Sequence, residues 1–353
     1  MWLASATMVV VGLLVAVVTV EVSLRILGVG YGGVHMATSN VLHHEHPRDY
    51  RFVSYHRSRE YGGHTVFYDE AGRRADPARP AVDHTDSEVS VAVMGDSFVE
   101  ALQVAHAESF VGRLQDAASP NAAVENYGTS SYCPALYLLQ WRTKIRDREP
   151  THVFLMLFGN DIRDDEEMTA IAEVDTSGDI VAVSGAEPGL FDRVARMTYL
   201  GRLVRKVQLQ LEWMWAHRHE TRNEPAYEFV EEDPEINDLT DKYLRQLVRE
   251  VTDTGAQLVL MAVPSRERTL RPTGAASRRV FHDVVRDWAE RQAVPFVDLT
   301  TPFTAAAEEA EPLFFARDIH FTAHGHRVVA DTLLAAYPEV FGGTLDAKRT
   351  DRP

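Results

Sequence analysis

The sequence predicts an α/β fold built on a doubly wound, mostly parallel sheet, and two observations carry this prediction. From residue 89 onward, short apolar segments of strand length alternate with amphipathic segments of helix length. Such alternation is typical of parallel strands joined by crossover helices. One segment, His152–Phe158, is apolar almost throughout, as expected of a central parallel strand covered on both faces. We therefore expect a single α/β domain over residues 88–341.

The N-terminal segment is the first element, and it predicts a helix that crosses a membrane. From Trp2 to Val20 every residue is apolar or small, and the first charge is Glu21. About 20 helical residues span the ~30 Å of a bilayer core. A secretory signal peptide and a buried core helix are the alternatives, but no convincing cleavage site follows Val20. We expect an uncleaved anchor over residues 1–24. A strict positive-inside count, which rests on Arg25, would place the following domain in the cytoplasm.

Residues 25–87 predict an irregular connector with a short hairpin. Aromatic and polar residues alternate within Tyr50–Tyr68, residues 69–74 form a turn sequence, and Pro77–Pro80 is typical of a linker. Three closely spaced histidines precede the hairpin: His43, His44 and His46. Their spacing matches no closed metal site, so a solvated or locally hydrogen-bonded surface is expected there.

The elements of the main domain follow in order. The predicted strands are Val89–Met94, Ala123–Tyr127, His152–Phe158, Gln257–Val263 and Pro295–Leu299. The first predicted helix follows the Gly95-Asp96-Ser97 turn, and Ser109–Ala118 is its end. The other predicted helices are Tyr132–Arg146, Leu239–Thr254, Arg278–Gln292 and Gly325–Tyr337. The strands are short apolar runs bounded by turn residues, and the helices carry apolar residues three and four apart.

The alternation lapses over residues 165–240, which predicts an insertion of unknown role. Within it, Leu200–Trp215 is a helical stretch with apolar residues at four-residue intervals. Packing on the core is the expected use of such a face, although covering a site or touching the membrane would produce the same pattern. The polar tail, residues 342–353, is expected to be disordered.

Composition excludes some classes of function. The chain has 353 residues and a formal net charge of −16, which argues against a nucleic-acid partner because phosphates would be repelled. Cys133 is the single cysteine, so no internal disulfide framework can form. With no activating pair beside it, we expect Cys133 to be a small buried residue.

Three predicted strands end in residues that can carry chemistry. Ser97 follows the first strand, Gly128 the second and Asn160 the third. The carboxyl ends of parallel strands meet at one edge of a sheet, where open α/β folds bind their ligands. Helix capping and turn formation are the simpler uses of each residue taken alone.

Asp318 and His320 supply the groups that Ser97 would need. A serine is a weak nucleophile unless a base takes its proton. Residues two apart in an extended segment project to the same side, so Asp318 can orient His320 towards a serine. The N–H groups of Ser97 and Gly128 and the side-chain amide of Asn160 could converge as an oxyanion hole. Four residues at matching strand ends favour a catalytic use over separate structural uses.

These motifs resemble the SGNH, or GDSL-type, hydrolase family. The four blocks are Gly95-Asp96-Ser97, Asn126-Tyr127-Gly128, Gly159-Asn160-Asp161 and Asp318-Ile319-His320. The resemblance covers roughly residues 88–340. It implies a flavodoxin-like three-layer α/β/α sandwich and acyl-ester chemistry that uses no metal and no cofactor.

The sequence departs from the family pattern at two positions. Phe98 stands where the family name has leucine, which is a tolerated variant. The last block has Asp-x-His, whereas the usual spacing is Asp-x-x-His, a form that would place the aspartate at Arg317. The shorter form resembles the alginate-acetylation proteins of this group and favours acyl transfer more than the usual block does. The anchor resembles envelope members of the family, which implies an extracytoplasmic catalytic domain.

The sequence therefore predicts a serine acyl-ester hydrolase that removes small acyl groups, acetyl above all, from a carbohydrate or envelope glycan. An O-acetyltransferase with the same residues is the first alternative, and it would need an acyl-donor partner in the membrane. A non-catalytic glycan-binding protein of the same fold is the second. The expected partners are an acylated carbohydrate or other small ester and the membrane around the N-terminal helix.

Overall fold

The computed structural model describes residues 2–28, 30, 36–78, 87–118, 122–189, 193, 197–216, 218, 234–270 and 279–342. The N-terminal elements are α1 (Trp2–Ile26), β1 (Ala37–Thr38), β2 (His44–Glu45), β3 (Tyr50–Tyr55) and β4 (Gly62–Tyr68). Those up to the middle of the chain are β5 (Val89–Gly95), α2 (Ser97–Glu100), α3 (Phe110–Ala117), β6 (Ala122–Asn126), α4 (Pro134–Gln140), β7 (His152–Leu157) and α5 (Asp161–Ala170). The remainder are β8 (Ala172–Val174), β9 (Ile180–Val183), α6 (Tyr199–Ala216), α7 (Asp238–Asp253), β10 (Gln257–Ala262), α8 (Arg266–Leu270), α9 (Phe281–Gln292), β11 (Phe296–Val297), α10 (Thr300–Ala306), α11 (Ala323–Ala336) and α12 (Pro338–Phe341).

A five-stranded parallel sheet forms the centre of the domain. Its strand order is β11-β10-β7-β5-β6, and every neighbouring pair is parallel. Taken from the β6 edge, this is the flavodoxin-like order 2-1-3-4-5. The order reverses between β5 and β7, which opens a crevice at their carboxyl ends. The predicted doubly wound fold is confirmed, and the crevice lies beside Ser97 and Asn160.

Helices cover both faces of the sheet. Alternate residues of β7 point to opposite sides, with Leu155 in one buried apolar cluster and Phe154 in the other. Helices α4, α7 and α9 contribute to the first cluster, and α3, α10 and α11 to the second. This arrangement explains the nearly continuous apolar run of β7 and confirms the three-layer sandwich. The single helix predicted between Ser97 and Ala118 is wrong, because Ala101 adopts a left-handed conformation (φ 55°) that ends α2, and α3 begins only at Phe110.

The segment predicted as a connector packs on the domain. Strands β3 and β4 pair antiparallel, with Phe52 opposite Val66, and these two residues form a small apolar cluster with Tyr68. The Ser54 hydroxyl donates to the carbonyl of Leu102 at 2.9 Å. The hairpin is thereby attached to the loop that follows α2, near the carboxyl edge of the sheet.

Two helices, α1 and α6, lie outside the sandwich and have exposed side chains. Residues Ser5–Ile26 of α1 have a mean hydropathy of 2.4 and are long and apolar enough to cross a membrane. In the insertion, Ile180 and Val183 of β9 join the apolar core, but every residue of α6 is at least partly exposed. The expectation that the Leu200–Trp215 stretch packs on the core is wrong, because its partners are α1 and the hairpin. Residues 231–233 of the predicted insertion, the end of the predicted linker at Pro80 and the tail from residue 343 lie outside the described residues.

Candidate active site

The turn after β5 fixes the position of Ser97. The strand ends at Gly95, whose φ is 155°. A Cβ on Gly95 would lie 2.3 Å from Val99 Cγ2, so any larger residue would displace the helix that follows. Asp96 is the N-cap of α2, and its carboxylate accepts a hydrogen bond from Phe98 N at 2.9 Å. The helix therefore begins at Ser97, whose N–H has no carbonyl partner within the helix.

Ser97, His320 and Asp318 form a hydrogen-bonded chain. The Ser97 Oγ lies 2.7 Å from His320 Nε2, and His320 Nδ1 is hydrogen-bonded to Asp318 Oδ1. The same carboxylate oxygen accepts from the backbone N–H of His320 at 2.9 Å. The side chains of His320 and Asp318 are only 14% and 13% exposed. The structure thus brings these three predicted residues together in the geometry of nucleophile, base and orienting carboxylate.

The hairpin contacts the second oxygen of the Asp318 carboxylate. Tyr61 donates its hydroxyl to Asp318 Oδ2 at 3.3 Å, and His56 Nε2 lies 3.6 Å from the same oxygen. Burial raises the pKa of Asp318, but hydrogen bonds and charge from His320 outweigh it and bring the pKa to about 2. Burial and the Asp318 charge raise the pKa of Tyr61, so its hydroxyl stays protonated. Asp318 is therefore held as a carboxylate with donors on both oxygens.

The hairpin also holds the backbone before Asp318. Both carboxylate oxygens of Glu60 accept from the N–H of Arg317 at 2.9 Å. The Arg317 guanidinium in turn lies 5.1 Å from the centre of the Trp213 ring of α6. Sequence reasoning missed Tyr61, His56 and Glu60. The sequence signal that could have pointed to these three residues is an unusual density of aromatic and ionisable residues in the hairpin.

The other predicted donors are bonded to protein groups. The N–H of Gly128 donates to Asn126 Oδ1 at 2.8 Å, and the amide nitrogen of Asn160 donates to Asp164 Oδ2 at 2.6 Å. An amide nitrogen carries two hydrogens, so Asn160 keeps one for another acceptor, whereas Gly128 has a single hydrogen. The convergence of these donors on an oxyanion stays a prediction.

Gly128 is required by a close approach of two backbones. A Cβ at this position would lie 2.3 Å from Glu100 N and 2.5 Å from Val99 C. The side chain of Asn126 links the two segments, because its Nδ2 donates to the carbonyl of Val99 at 2.9 Å while its Oδ1 accepts from Gly128. The glycine block therefore sits directly against the helix that starts at Ser97.

A buried network around Glu100 supports the same loop. The Glu100 carboxylate is fully buried and accepts from Tyr68 Oη at 2.5 Å and from Ser130 N at 2.8 Å. His46 Nε2 lies 2.8 Å from it. Burial raises the pKa of Glu100, but the His46 charge and these hydrogen bonds outweigh it and bring the pKa to about 2. Arg74, also buried, donates to the carbonyls of Glu100 and Val104.

The histidine cluster is part of this support. His46 is 5% exposed, and its Nδ1 is hydrogen-bonded to the carbonyl of Gly72 at 2.9 Å. His44 Nε2 lies 2.8 Å from the carbonyl of Ser130. The expected hydrogen bonds are present, but the expected surface is wrong for His46, because this side chain pairs with a buried carboxylate. Among the described residues, no group of three His, Cys, Asp or Glu side chains is arranged to hold a metal ion.

Buried acids lie behind Asn160. Burial, followed by the charge of Asp96, raises the pKa of Asp161 well above its usual value, and burial raises the pKa of Asp165 to about 6. Asp165 accepts from Ala135 N at 2.8 Å and from the hydroxyl of Thr240 at 2.7 Å. Asp165 therefore links the start of α4 to the start of α7. The neighbouring Cys133 is buried, and burial raises the pKa of its thiol, as expected for a residue outside the chemistry.

Comparisons with solved structures give distant likenesses. An alpha/beta hydrolase enzyme from the metagenome of Lake Arreo is 17% identical with a TM-score of 0.42, over 73% of this chain and 98% of that one. An acetylxylan esterase from Geobacillus stearothermophilus is 18% identical with a TM-score of 0.40, over 72% and 95%. A lipolytic protein of the G-D-S-L family from Desulfitobacterium hafniense is 11% identical with a TM-score of 0.40, over 69% and 97%. No curated protein matches the sequence.

The family comparison is decisive. Residues 93–328, more than half of the chain, match the GDSL-like lipase/acylhydrolase family. The matched stretch contains all four motif blocks and runs from β5 into α11. The chain therefore belongs to the GDSL-like lipase/acylhydrolase family, the SGNH serine esterases, and is an acyl-ester hydrolase.

Proposed function

We propose that Ser97 is the nucleophile of this esterase, that His320 is its general base and that Asp318 orients His320. The observation that carries the proposal is the hydrogen-bonded chain of 2.7 Å from Ser97 Oγ to His320 Nε2 and onward to Asp318. With a proton on Nδ1 directed at Asp318, Nε2 is free to accept the serine proton. The low pKa of Asp318, about 2, keeps the carboxylate charged while the imidazolium forms.

The reaction proceeds in two halves. Ser97 Oγ attacks the ester carbonyl carbon as its proton passes to His320, and the carbonyl π electrons move to the oxygen. The tetrahedral intermediate collapses, and His320 returns the proton to the departing alcohol. Water then attacks the acyl-enzyme with His320 again as base, which releases the carboxylic acid and restores Ser97.

The negative charge of the intermediate would be met by the N–H of Ser97 and the free amide hydrogen of Asn160. Gly128 would join them only by exchanging its bond to Asn126 Oδ1. Hydrogen bonds aimed at a developing oxyanion typically contribute about 10²- to 10³-fold in rate each. The oxyanion hole would therefore be complete only when a substrate is bound.

The proposed substrate is a small acyl ester, above all an acetyl ester, on a carbohydrate or envelope glycan. It rests on the resemblance to envelope members of the family and on the Asp-x-His block. The same block supports the second candidate, an O-acetyltransferase, in which a sugar hydroxyl takes the place of water. We further propose that α1 anchors the chain in a membrane, with the catalytic domain outside the cytoplasm.

The first experiment tests the nucleophile. The full chain in detergent is treated with a fluorescent organophosphorus probe and with chromogenic acetyl, butyryl and octanoyl esters, beside Ser97→Ala and His320→Ala. We expect wild-type labelling, fastest turnover of the acetyl ester, and losses of about 10³-fold or more in both variants. Ser177→Ala, which removes an exposed serine from the β8–β9 turn, is the matched control and should leave activity unchanged. Labelling that persists in Ser97→Ala would refute the assignment.

The second experiment separates hydrolysis from transfer. The acyl-enzyme is generated from the acetyl ester in the presence of glycan acceptors, and acetylated sugar and free acetate are measured together. Acetate as the main product supports the hydrolase, whereas acetylated sugar that rises with acceptor concentration supports the transferase. A reporter fused after Pro353 tests the topology, and activity confined to the cytoplasm would contradict the proposed orientation.

A further inference from the structure

Helix α6 carries an unusual apolar face. Five of its apolar side chains are between 45% and 70% exposed: Val204, Val207, Leu211, Met214 and Trp215. Residues three and four apart lie on one side of a helix, so these five form a continuous strip, here called the α6 apolar stripe. A stripe of this kind normally faces a core, and this one faces away from the domain.

The opposite face of α6 fixes that orientation. The guanidinium of Arg202 lies 5.0 Å from the centre of the Tyr50 ring, and Lys206 Nζ lies 5.5 Å from the centre of the Tyr55 ring. Both tyrosines belong to β3 of the hairpin. The helix therefore turns Arg202 and Lys206 to the protein and its apolar residues outward, the reverse of a soluble surface helix, while Arg205 is exposed.

The start of α6 is bonded to the end of α1. The Glu21 carboxylate accepts from the N–H groups of Tyr199 at 3.1 Å and Leu200 at 2.8 Å. The guanidinium of Arg25 lies 4.9 Å from the centre of the Tyr199 ring. Glu21 and Arg25 are the only charged residues of α1 and lie in its last two turns, where an apolar membrane helix meets the headgroups. Helix α6 therefore begins at the level of the membrane boundary.

The charge of α6 differs from that of the whole chain. The protein carries a formal net charge of −16, but α6 has the basic residues Arg202, Arg205 and Lys206 against the single acid Glu212. A basic helix with an apolar stripe is typical of segments that lie in the interface of an anionic membrane. Of the three basic residues, the exposed Arg205 is the one placed to meet such a surface.

We infer that α6 lies in the interfacial layer of the bilayer, with the α6 apolar stripe in contact with anionic lipid. The inference rests on the proposed membrane anchoring of α1. From Tyr199, which is bonded to Glu21, to Trp213, which contacts Arg317 next to Asp318, the helix extends for about 21 Å. Helix α6 thus connects the membrane boundary at Glu21 with the residue next to Asp318, so that the site would lie close to the interfacial layer.

The test places an environment-sensitive fluorophore at single introduced cysteines in the full chain, reconstituted in vesicles of phosphatidylcholine and phosphatidylglycerol. The native Cys133 is buried and escapes labelling of the folded protein. The positions are Leu211→Cys on the stripe, Arg205→Cys on the flank of the same helix, and Ser177→Cys on the exposed β8–β9 turn as the matched control. Quenching by iodide in the water is compared with quenching by nitroxide-labelled lipid.

We expect the Leu211→Cys label to be quenched by lipid and at least fivefold less by iodide than the Ser177→Cys label. The Arg205→Cys label should lie between them. Extraction with alkaline carbonate tests separately whether α1 anchors the protein. If carbonate does not extract the protein but iodide quenches the labels at positions 211 and 177 equally, the inference is overturned and the anchor is left intact. A label shielded from both quenchers, with self-quenching that rises with protein density, would assign the stripe to a second copy and also overturn it. Extraction by carbonate would overturn the anchor and with it the interfacial helix.

Discussion

In the half of the site that carries Ser97, His320 and Asp318, each side chain is hydrogen-bonded to the next, and the hairpin holds the last of them. In the half that carries Gly128 and Asn160, the donors are hydrogen-bonded to other groups of the protein. If Ser97 is the nucleophile, as proposed, the first half can transfer its proton without rearrangement. In the second half, Gly128 would have to exchange its partner when an oxyanion forms, whereas Asn160 keeps a second amide hydrogen.

The difference has a physical basis. A proton-transfer chain needs its members in contact in the free enzyme, because the serine must lose its proton as the bond to carbon forms. Oxyanion donors face no acceptor until the substrate arrives, and a buried unpaired N–H costs about 1–3 kcal/mol. Internal acceptors such as Asn126 and Asp164 satisfy these donors in the free enzyme. The expected effects of substitution should therefore be larger in the first half than in the second.

The largest expected effect is that of Asp318→Asn. An amide in place of the carboxylate favours the wrong tautomer of His320, and the comparable change in a serine–histidine–aspartate site lowers kcat by about 10⁴-fold. Hydrolysis of the acetyl ester measures the loss, and circular dichroism checks the fold. Because the pKa of Asp318 is about 2, its protonation should cause no loss of wild-type activity above about pH 4. A loss below tenfold in Asp318→Asn would place Asp318 outside the chemistry.

The next effect is that of Asn160→Ala. If the free amide hydrogen of Asn160 meets the oxyanion, kcat should fall by about 10²- to 10³-fold with little change in KM. Asp164→Ala is the matched control, because it removes the present partner of the same amide and leaves the amide in place. Equal losses in the two variants would show that the bond between them, and not the amide itself, is what activity needs.

Glu100→Gln tests the support of the second half. Loss of the buried carboxylate should lower the free energy of unfolding at pH 7 by about 1–3 kcal/mol, measured by urea unfolding in detergent. The pKa of Glu100 falls from 4.5 to about 2 on folding, so its contribution is present above pH about 4.5 and is lost as the pH falls towards 2. The variant should lack that part of the acid dependence. A Glu70→Gln variant, at an exposed turn, should behave as the wild type, and an identical acid profile in Glu100→Gln would contradict the assignment.

The smallest effect is expected for Tyr61→Phe. One neutral hydrogen bond to Asp318 Oδ2 contributes about 0.5–1.5 kcal/mol, which corresponds to a two- to tenfold loss in kcat/KM. Because His320 and His56 set the low pKa of Asp318, the loss should be independent of pH above about pH 4. Tyr55→Phe, on the neighbouring strand of the same hairpin, is the control. A loss as large as that of Asp318→Asn would make Tyr61 part of the chemistry and end its supporting role.

Much of the sheet and the positions of the candidate residues could be predicted from the sequence. Apolar runs such as His152–Phe158 locate buried strands because both faces of a central parallel strand are covered. The rule that parallel strands end at a common edge then places Ser97, Gly128 and Asn160 together. The pairing of Asp318 with His320 could also be predicted, but the extended segment expected there is wrong. Residues 316–320 form bends, and the Asp318 carboxylate is hydrogen-bonded to both the backbone N–H and the ring of His320.

The sequence by itself therefore determined the fold class and the edge of the sheet where chemistry-bearing residues collect, because both follow from local periodicity and general rules of chain topology. Only the tertiary structure decided which groups surround them. Tyr61 reaches Asp318 across 257 residues, His46 pairs with Glu100 across 54 positions of the chain, and neither contact leaves a periodic signal. The stripe of α6 shows the same limit. A repeat of three and four residues establishes that one helix face is apolar, but the path of the loops decides whether protein or membrane covers it.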